Sequence, residues 1–470
     1  MPDVEYPDCI IRLASAVYVL PCPLIHKPMD FSFTESFNTA TRDHVKSAAL
    51  MRSADTSRRK LADALENLRS VSPSVTGSKH QNAIMYAKEY SPQINQILFS
   101  CKVQPEMAVL NKKIDFQWTS GVEITKTVKS NDALMFDLVM SISSLGLGHA
   151  GSATDESVAG NFPPAAKAFN VAAGIMSFLH NDLLPKWVSV GSDMEISQLP
   201  MEAVGICCDA LHILFLAYAQ QMAIGTALMK PETINFSLIS KLCFGVSTQL
   251  NEFVEKMRTH AAQQYARLNP NLILFITFQI NFQESLTNYF FARLVWSKGK
   301  YGVAIAILQK AVSLAETRRS ATSKGLPDPS DPKSSVKAVE NDVRDYRNHL
   351  QKLLGEWEKD NRLVYFEKVP TQLKPEESIS KGIVMKKPEI FTLEDPVPVQ
   401  LGPQVKTVMT APPAQAPVQA PVQAPSLHPL PVMPPMGNDM PPPAYVAPVQ
   451  FQRTDSDLAR EMQAKFDMGN

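Results

Sequence analysis

The sequence has no clean apolar run that reads as a membrane span, no excess of either charge and no paired cysteines. Lys plus Arg and Asp plus Glu number 46 each, which removes the broad positive field that attracts nucleic acid or anionic lipid. The six cysteines, Cys9, Cys22, Cys101, Cys207, Cys208 and Cys243, show no Cys-x-x-Cys spacing. Cys207 and Cys208 sit inside an apolar stretch, so the set reads as reduced core thiols. The N-terminus places Asp3, Glu5 and Asp8 ahead of its apolar residues, the reverse of a secretory signal. The most apolar segment, Ala203 to Met229, is interrupted by Asp209, His212, Gln220 and Gln221. Those groups are costly in hydrocarbon, so the segment reads as a helix buried in protein.

Catalytic signatures are also missing. There is no Gly-x-Ser-x-Gly elbow, no Walker loop and no His-Glu-x-x-His pair, and the nine histidines are scattered singly. Gly146-Leu147-Gly148-His149-Ala150-Gly151 has the spacing of a dinucleotide fingerprint. It follows a helical pattern rather than a strand, and no acidic residue lies about twenty positions further on to take a ribose. It reads as a glycine-rich turn between two helices. The sequence therefore nominates no catalytic residue, no cofactor and no metal site, and is read as a non-enzyme.

What is present is enough apolar material for a large core, 45% of residues against 20% charged. Composition changes near Glu394, after which Pro, Ala, Val and Gln dominate and Ala-Pro-Val-Gln recurs at Ala416, Ala420 and Ala447. Such a stretch cannot build a core and is expected to be extended and disordered. The expected organisation is a folded domain over 1–395, a proline-rich tail over 396–453 and a short amphipathic helix over 454–470.

Within the folded part, Cys9 to Leu24 reads as one or two strands, and the rest is helical. Leu61, Leu65 and Leu68 share one helical face. Asn131 is a candidate cap for a helix carrying Leu134, Leu138 and Ile142, and Pro163 and Pro164 open another with Phe169, Ala172 and Phe178. Val336, Val339, Val343, Tyr346, Leu350, Leu353 and Trp357 form an unbroken three-four seam after Ser334 and Ser335, more consistent with an intramolecular helix pair than with a dimeric coiled coil. Lys298 to Ala311 reads like one helix of a tetratricopeptide hairpin. Together these features describe a mainly α protein: an elongated helical solenoid or bundle, without a repeat of fixed length, followed by a disordered tail.

Lys359 to Pro370, Lys-Asp-Asn-Arg-Leu-Val-Tyr-Phe-Glu-Lys-Val-Pro, resembles the stretch near the end of the Bro (Bro-one, Alix-like) domain. Phe116-Gln117-Trp118, Ala217-Tyr218-Ala219-Gln220-Gln221, and Gly299-Lys300-Tyr301-Gly302 followed by Ile305-Ala306-Ile307-Leu308 resemble the same family in the same order. The resemblance spans Ile10 to about Glu394. It implies a curved stack of helices around a tetratricopeptide-like core with a few short N-terminal strands. It also implies an ESCRT-associated scaffold of endosomal sorting, the multivesicular body and membrane scission, whose hydrophobic patch holds the C-terminal amphipathic helix of an ESCRT-III subunit. Carried over by residue, the patch is Leu238 and Leu242, with Met222 and Ile224 beside Ala223, where the family has an aromatic anchor. The chain resembles the short members that carry a Bro domain plus a proline-rich tail, without the V-shaped coiled-coil domain and without a prenylation cysteine.

In the tail, Pro442, Pro443 and Tyr445 fit the Pro-Pro-x-Tyr ligand of WW domains, pointing to a WW-domain ubiquitin ligase as partner. Leu458, Met462 and Phe466 form one stripe of the terminal helix, a partner-binding element with a faint likeness to ubiquitin-interacting helices. The expected setting is cytoplasmic with recruitment to endosomes, and membrane contact only through partners. An alternative is a signalling adaptor, its folded domain a protein-binding or pH-responsive platform, acting mainly through the tail ligands.

Overall fold

The computed structural model describes residues 6–401 apart from 29, 70–75, 111–113, 189–197, 318–324, 328–334 and 386. The WW ligand Pro442, Pro443 and Tyr445 and the tail-helix residues Leu458, Met462 and Phe466 lie outside the described residues.

The main helices are α1 (Asp8–Ala14), α2 (Val45–Asn67), α3 (Thr76–Val103), α4 (Leu134–Val158), α5 (Phe162–Phe178), α6 (Gly205–Leu228), α7 (Phe236–His260), α8 (Pro270–Ser297), α9 (Tyr301–Ala315) and α10 (Glu340–Asp360). From α2 onward each packs against the next in sequence, and α1 folds back onto α6 and α10. This is the stacked-pair arrangement expected of a helical solenoid. Three short antiparallel strands, β1 (Leu24–His26), β2 (Phe116–Thr119) and β3 (Val128–Asn131), lie in the order β1-β2-β3, with Ile25 opposite Trp118 and Trp118 opposite Lys129.

Local signals set several helix starts. Asn235 accepts from the Leu238 amide at 3.1 Å and caps α7, and Asn269 caps α8 with Pro270 in its first turn. Pro163 and Pro164 open α5 as expected. Asn131 ends β3, and its side chain accepts from the Ala133 amide at 2.7 Å just before α4. The α10 seam is intramolecular: Val343, Tyr346, Leu350 and Trp357 are buried. Trp357 stacks on Trp296 of α8 with ring centroids 4.2 Å apart, and the Tyr346 hydroxyl meets Ser285 Oγ at 2.8 Å.

Two expectations are corrected. Residues Cys9 to Leu24 do not form a strand pair; Asp8–Ala14 is helical and the first strand begins only at Leu24. Cys9, Ile10 and Leu13 are buried, the i, i+1, i+4 spacing of a helical face, where a two-residue alternation would bury Cys9, Ile11 and Leu13. The glycine fingerprint is not a turn. Gly146, Gly148 and Gly151 lie inside α4, and a Cβ at each would meet Met176 at 2.7 Å, Ile84 at 3.1 Å and His80 at 2.4 Å. These glycines let neighbouring helices approach α4 closely.

The short N-terminal helix is held from below by amides. Its C-terminal carbonyls have no helical partners. Gln279 donates to Leu13 O at 3.1 Å and Ala16 O at 3.0 Å, Gln221 to Ala14 O and Ala16 O at 3.1 Å each, and Gln283 to Ala14 O at 3.3 Å. Arg12 on its outer face pairs with Asp342 of α10 at 2.6 Å.

The Phe116-Gln117-Trp118 segment has an equally specific role. The Trp118 indole donates to Asp137 of α4 at 2.7 Å, and Asp137 also accepts from Tyr90 and, at 3.3 Å, from Arg58. Arg58 and Asp137 are both essentially fully buried. Phe31 and Phe116 lie 4.7 Å and 5.4 Å from the guanidinium carbon and give the cation a second partner.

Candidate partner-helix site

The expected binding residues occupy the α6–α7 hairpin. Met222, Ala223 and Ile224 fall on α6, whose most apolar stretch is 83% buried in the protein, between α5 on one side and α7 on the other. Met222 and Ile224 have no exposed surface, which corrects their assignment as surface contacts: they are interior packing residues. Gly225, the next position, already sits against the Phe162 ring, where a Cβ would stand 3.1 Å away.

Leu238 and Leu242 are also covered, at 5% and 3% exposure, but their setting differs. The deep core face of α7 is Ile239, Cys243, Val246, Leu250 and Phe253, all buried. At 100° per residue, Leu238, Leu242, Gly245 and Gln249 form a separate stripe on the flank of that face. An extended segment of residues 381–401 begins on this stripe. The Ile383 amide donates to Lys241 O at 3.0 Å. Gln220 Nε2 donates to both Leu242 O at 2.7 Å and Ile383 O at 2.8 Å, and its Oε1 accepts from the Met385 amide at 2.8 Å. Gln249 donates to Met385 O at 3.2 Å. At this exposure the leucines do not form an open patch, and the strap lies one turn further along the same stripe, at Gly245 and Gln249.

Sequence reasoning missed the residues that seat this segment. Gly245 and Gly174 have no room for a side chain, since a Cβ would stand 1.8 Å from Ile383 O and 1.7 Å from Glu389 O. The available signal was a glycine in each of two strongly helical runs, together with Gln220 in the Ala-Tyr-Ala-Gln-Gln segment. The structure now separates that segment's two amides: Gln220 holds the C-terminal strap and Gln221 holds the N-terminal helix.

The remaining resemblance segments meet each other. Gly299, with φ of 73°, turns α8 into α9. Gly302 leaves space for Lys368 O, which would lie 2.4 Å from a Cβ, and its amide donates to Glu367 at 2.8 Å. Asn361 closes the turn after α10, donating to Glu367 O at 2.8 Å and accepting from the Glu367 amide at 3.0 Å, with Phe366 left-handed at φ 54°. This turn leaves Leu363, Val364 and Phe366 exposed at 64%, 62% and 75%, while Tyr365 stacks on Tyr301.

No group of three or more His, Cys, Asp or Glu among the described residues is placed to hold a metal ion. Burial pushes the Cys9 thiol up to about 11 and those of Cys22, Cys101 and Cys207 up to about 12, so these thiols stay protonated and unreactive at neutral pH. The strap stays packed past the boundary expected at 395: Val399 is buried, its amide donates to Ser100 Oγ at 3.0 Å, and Gln400 O accepts from Ser47 Oγ at 2.6 Å.

Comparison with known proteins agrees with this geometry. The vacuolar protein-sorting protein bro1 of Schizosaccharomyces pombe is 26% identical over 209 residues, which is 44% of this chain and 24% of that protein. The shared stretch is thus about a quarter of the relative's length. The structure of an ALIX BRO1 CHMP4C complex superposes with a TM-score of 0.54 at 15% identity, over 80% of this chain and 98% of that one. A structure described as the basis for endosomal targeting by the Bro1 domain gives 0.57 at 14% identity, over 79% and 92%. The sequence profile of the BRO1-like domain matches residues 32–408, which take in helices α2 to α10, strands β2 and β3 and the strap, and the chain belongs to the BRO1-like domain family.

Proposed function

We propose that this chain is a non-enzymatic, ESCRT-associated scaffold whose BRO1 domain takes the C-terminal amphipathic helix of an ESCRT-III subunit, in endosomal sorting and membrane scission. The observation that carries the reading is family membership over residues 32–408, most of the folded part, joined to a solved complex of the same fold whose ALIX BRO1 domain carries CHMP4C. The receiving surface is the α7 stripe of Leu238 and Leu242. Helix-in-groove binding uses apolar anchors at helical spacing, and these two leucines, one turn apart, supply it. Ala223, buried on α6, adds no aromatic anchor, so affinity rests on the leucine stripe. The protein acts in the cytoplasm and reaches endosomes through its partners.

Calorimetry of the full chain against synthetic C-terminal helices of ESCRT-III subunits tests this. Leu238→Ala with Leu242→Ala is expected to weaken binding at least tenfold while circular dichroism shows a folded protein, and Phe366→Ser to leave it unchanged. No binding to any such helix, or loss through Phe366→Ser instead, rejects the assignment.

The tail supplies a second reading, a signalling adaptor acting through Pro442, Pro443 and Tyr445 on a WW-domain ubiquitin ligase and through Leu458, Met462 and Phe466 on a further partner such as ubiquitin. Pull-down with residues 396–470 alone recovers most partners if the tail dominates; recovery only through the folded domain rejects it.

A further inference from the structure

We infer that residues 381–401 are a displaceable strap that competes with the partner helix for the α7 stripe, so that the chain takes the helix only when the strap lifts. This inference rests on the helix-binding reading above and concerns how that site is regulated.

The course of the strap places it there. From its seat on Lys241, Gly245 and Gln249 of α7 it passes Gln220 of α6 and reaches α5, where the Glu389 amide donates to Asn170 O at 3.3 Å and Phe391 meets Phe178 edge to face at 5.2 Å. It continues across α3, where Asn95, Gln96 and Gln104 donate to Glu394 O, Val397 O and Val399 O at 3.4, 2.9 and 2.8 Å. It ends at Ser47 of α2. The first contacts lie on the stripe that carries Leu238 and Leu242, and one amide, Gln220, bridges Leu242 O to the strap. A helix docked on that stripe and the strap cannot share it.

The manner of attachment suits the strap to local opening: Ile383, Phe391, Leu393 and Leu401 pack against the core but are covered only in part. Of its described residues only Val399 is buried, whereas Ile390 is 88% and Val397 68% exposed. Most of its anchors are side-chain amides reading its backbone, at the edge of the domain. Segments with few buried apolar contacts open locally far below the cost of global unfolding. The α7 stripe, by contrast, is built on a long capped helix and remains in place when the strap leaves. The strap continues in sequence into residues 402–470, which carry the proposed tail ligands.

The glycine seats give a way to evict the strap with little change inside the helices, the methyl at residue 245 also meeting the flexible end of Gln220, 2.7 Å away. In the full chain, Gly174→Ala with Gly245→Ala puts a methyl where Glu389 O and Ile383 O now lie, and Ala favours both helices. Hydrogen exchange is read over 381–401 and over the core helices, and calorimetry uses a synthetic ESCRT-III C-terminal helix. The expected result is loss of protection confined to the strap and at least tenfold tighter helix binding, because a site closed nine times in ten loses tenfold in apparent affinity. Ile383→Pro, which removes the amide donated to Lys241 without touching a helix, repeats the test should the alanines disturb packing. An opened strap with unchanged or weaker binding overturns the inference and leaves the helix-binding reading standing. Retained strap protection in both variants also overturns it. Absence of binding by parent and variants alike overturns the helix-binding reading and the competition together.

Discussion

Replacing Asp137 by Ala is expected to cost about 3–5 kcal/mol of stability, the range for breaking a buried ion pair from one side. The magnitude follows from what the carboxylate holds. It accepts from the Trp118 indole at 2.7 Å, from the Tyr90 hydroxyl and from two guanidinium nitrogens of Arg58 at 3.3 Å. Without it, Arg58 keeps its charge at 2% exposure, and two further buried donors lose their acceptor at about 1–3 kcal/mol each. Phe31 and Phe116 flank the cation in parent and variant alike, so they do not reduce the difference, and the two stranded donors place the cost at or above the upper end of that range. Arg58→Met on the Asp137→Ala background removes the stranded cation and should recover part of the loss, giving a coupling of about 0.5–3 kcal/mol. Urea denaturation followed by tryptophan fluorescence measures all four corners of the cycle. A cost below about 1 kcal/mol for Asp137→Ala, or strict additivity with Arg58→Met, would refute the reasoning.

Acid should destabilise the domain through two histidines. Burial, with Arg293 and Lys352 adding to it, lowers His349 from 6.5 to about 4, and burial with Lys88 does the same to His149. The folded chain refuses protons that the unfolded chain binds, so this stability is complete above about pH 6.5 and is lost as pH falls toward 4. Denaturation midpoints compared at pH 7 and pH 5 are expected to fall less in a His149→Gln, His349→Gln chain than in the parent; an equal fall rejects the assignment. Gly146→Leu overpacks α4 against Ile175 and Met176 and should cost about 1–3 kcal/mol, read by thermal melting; an unchanged midpoint would mean the helices separate without penalty. Gln221→Leu removes the donor to Ala14 O and Ala16 O and should raise hydrogen exchange in residues 8–16 before the rest of the core, whereas uniform exchange would contradict a local anchoring role.

The helices were legible because their apolar residues recur every three or four positions and their ends carry proline, asparagine or glycine. The seam from Val336 to Trp357 and the hairpin around Gly299 are therefore readable in outline from the residues alone. Cys9 to Leu24 was not, because Ile10, Ile11 and Leu13 satisfy a two-residue period and a helical one over so short a run. The fingerprint at Gly146, Gly148 and Gly151 misled for a different reason. Glycine spacing reports only that backbone must approach something closely, and here the something is Ile84, His80 and Met176 on neighbouring helices.

The strap explains why the candidate site was only half visible. Residues 381–401 have no apolar period, since most of their contacts are made by backbone carbonyls and amides that every sequence possesses. Their receptors are a few polar or small residues spread over five helices, from Ser47 to Gln249. Consequently Leu238 and Leu242 could be aligned with a family patch through the resemblance of Leu238-Ile239-Ser240-Lys241-Leu242, yet nothing local to them announced that Ile383 and Met385, more than a hundred positions away, would lie on the same stripe. The same fact limits what substitution of the leucines alone can show. A change at Leu242 alters the seat of the strap as well as the proposed helix contact, and the two act on helix affinity in opposite directions, so the net change after that substitution does not separate them. Evicting the strap through Gly174 and Gly245 leaves both leucines intact and reverses the expected sign, from weaker to tighter, which is why affinity in the strap variants discriminates between a site that is buried for structure and a site that is covered for control.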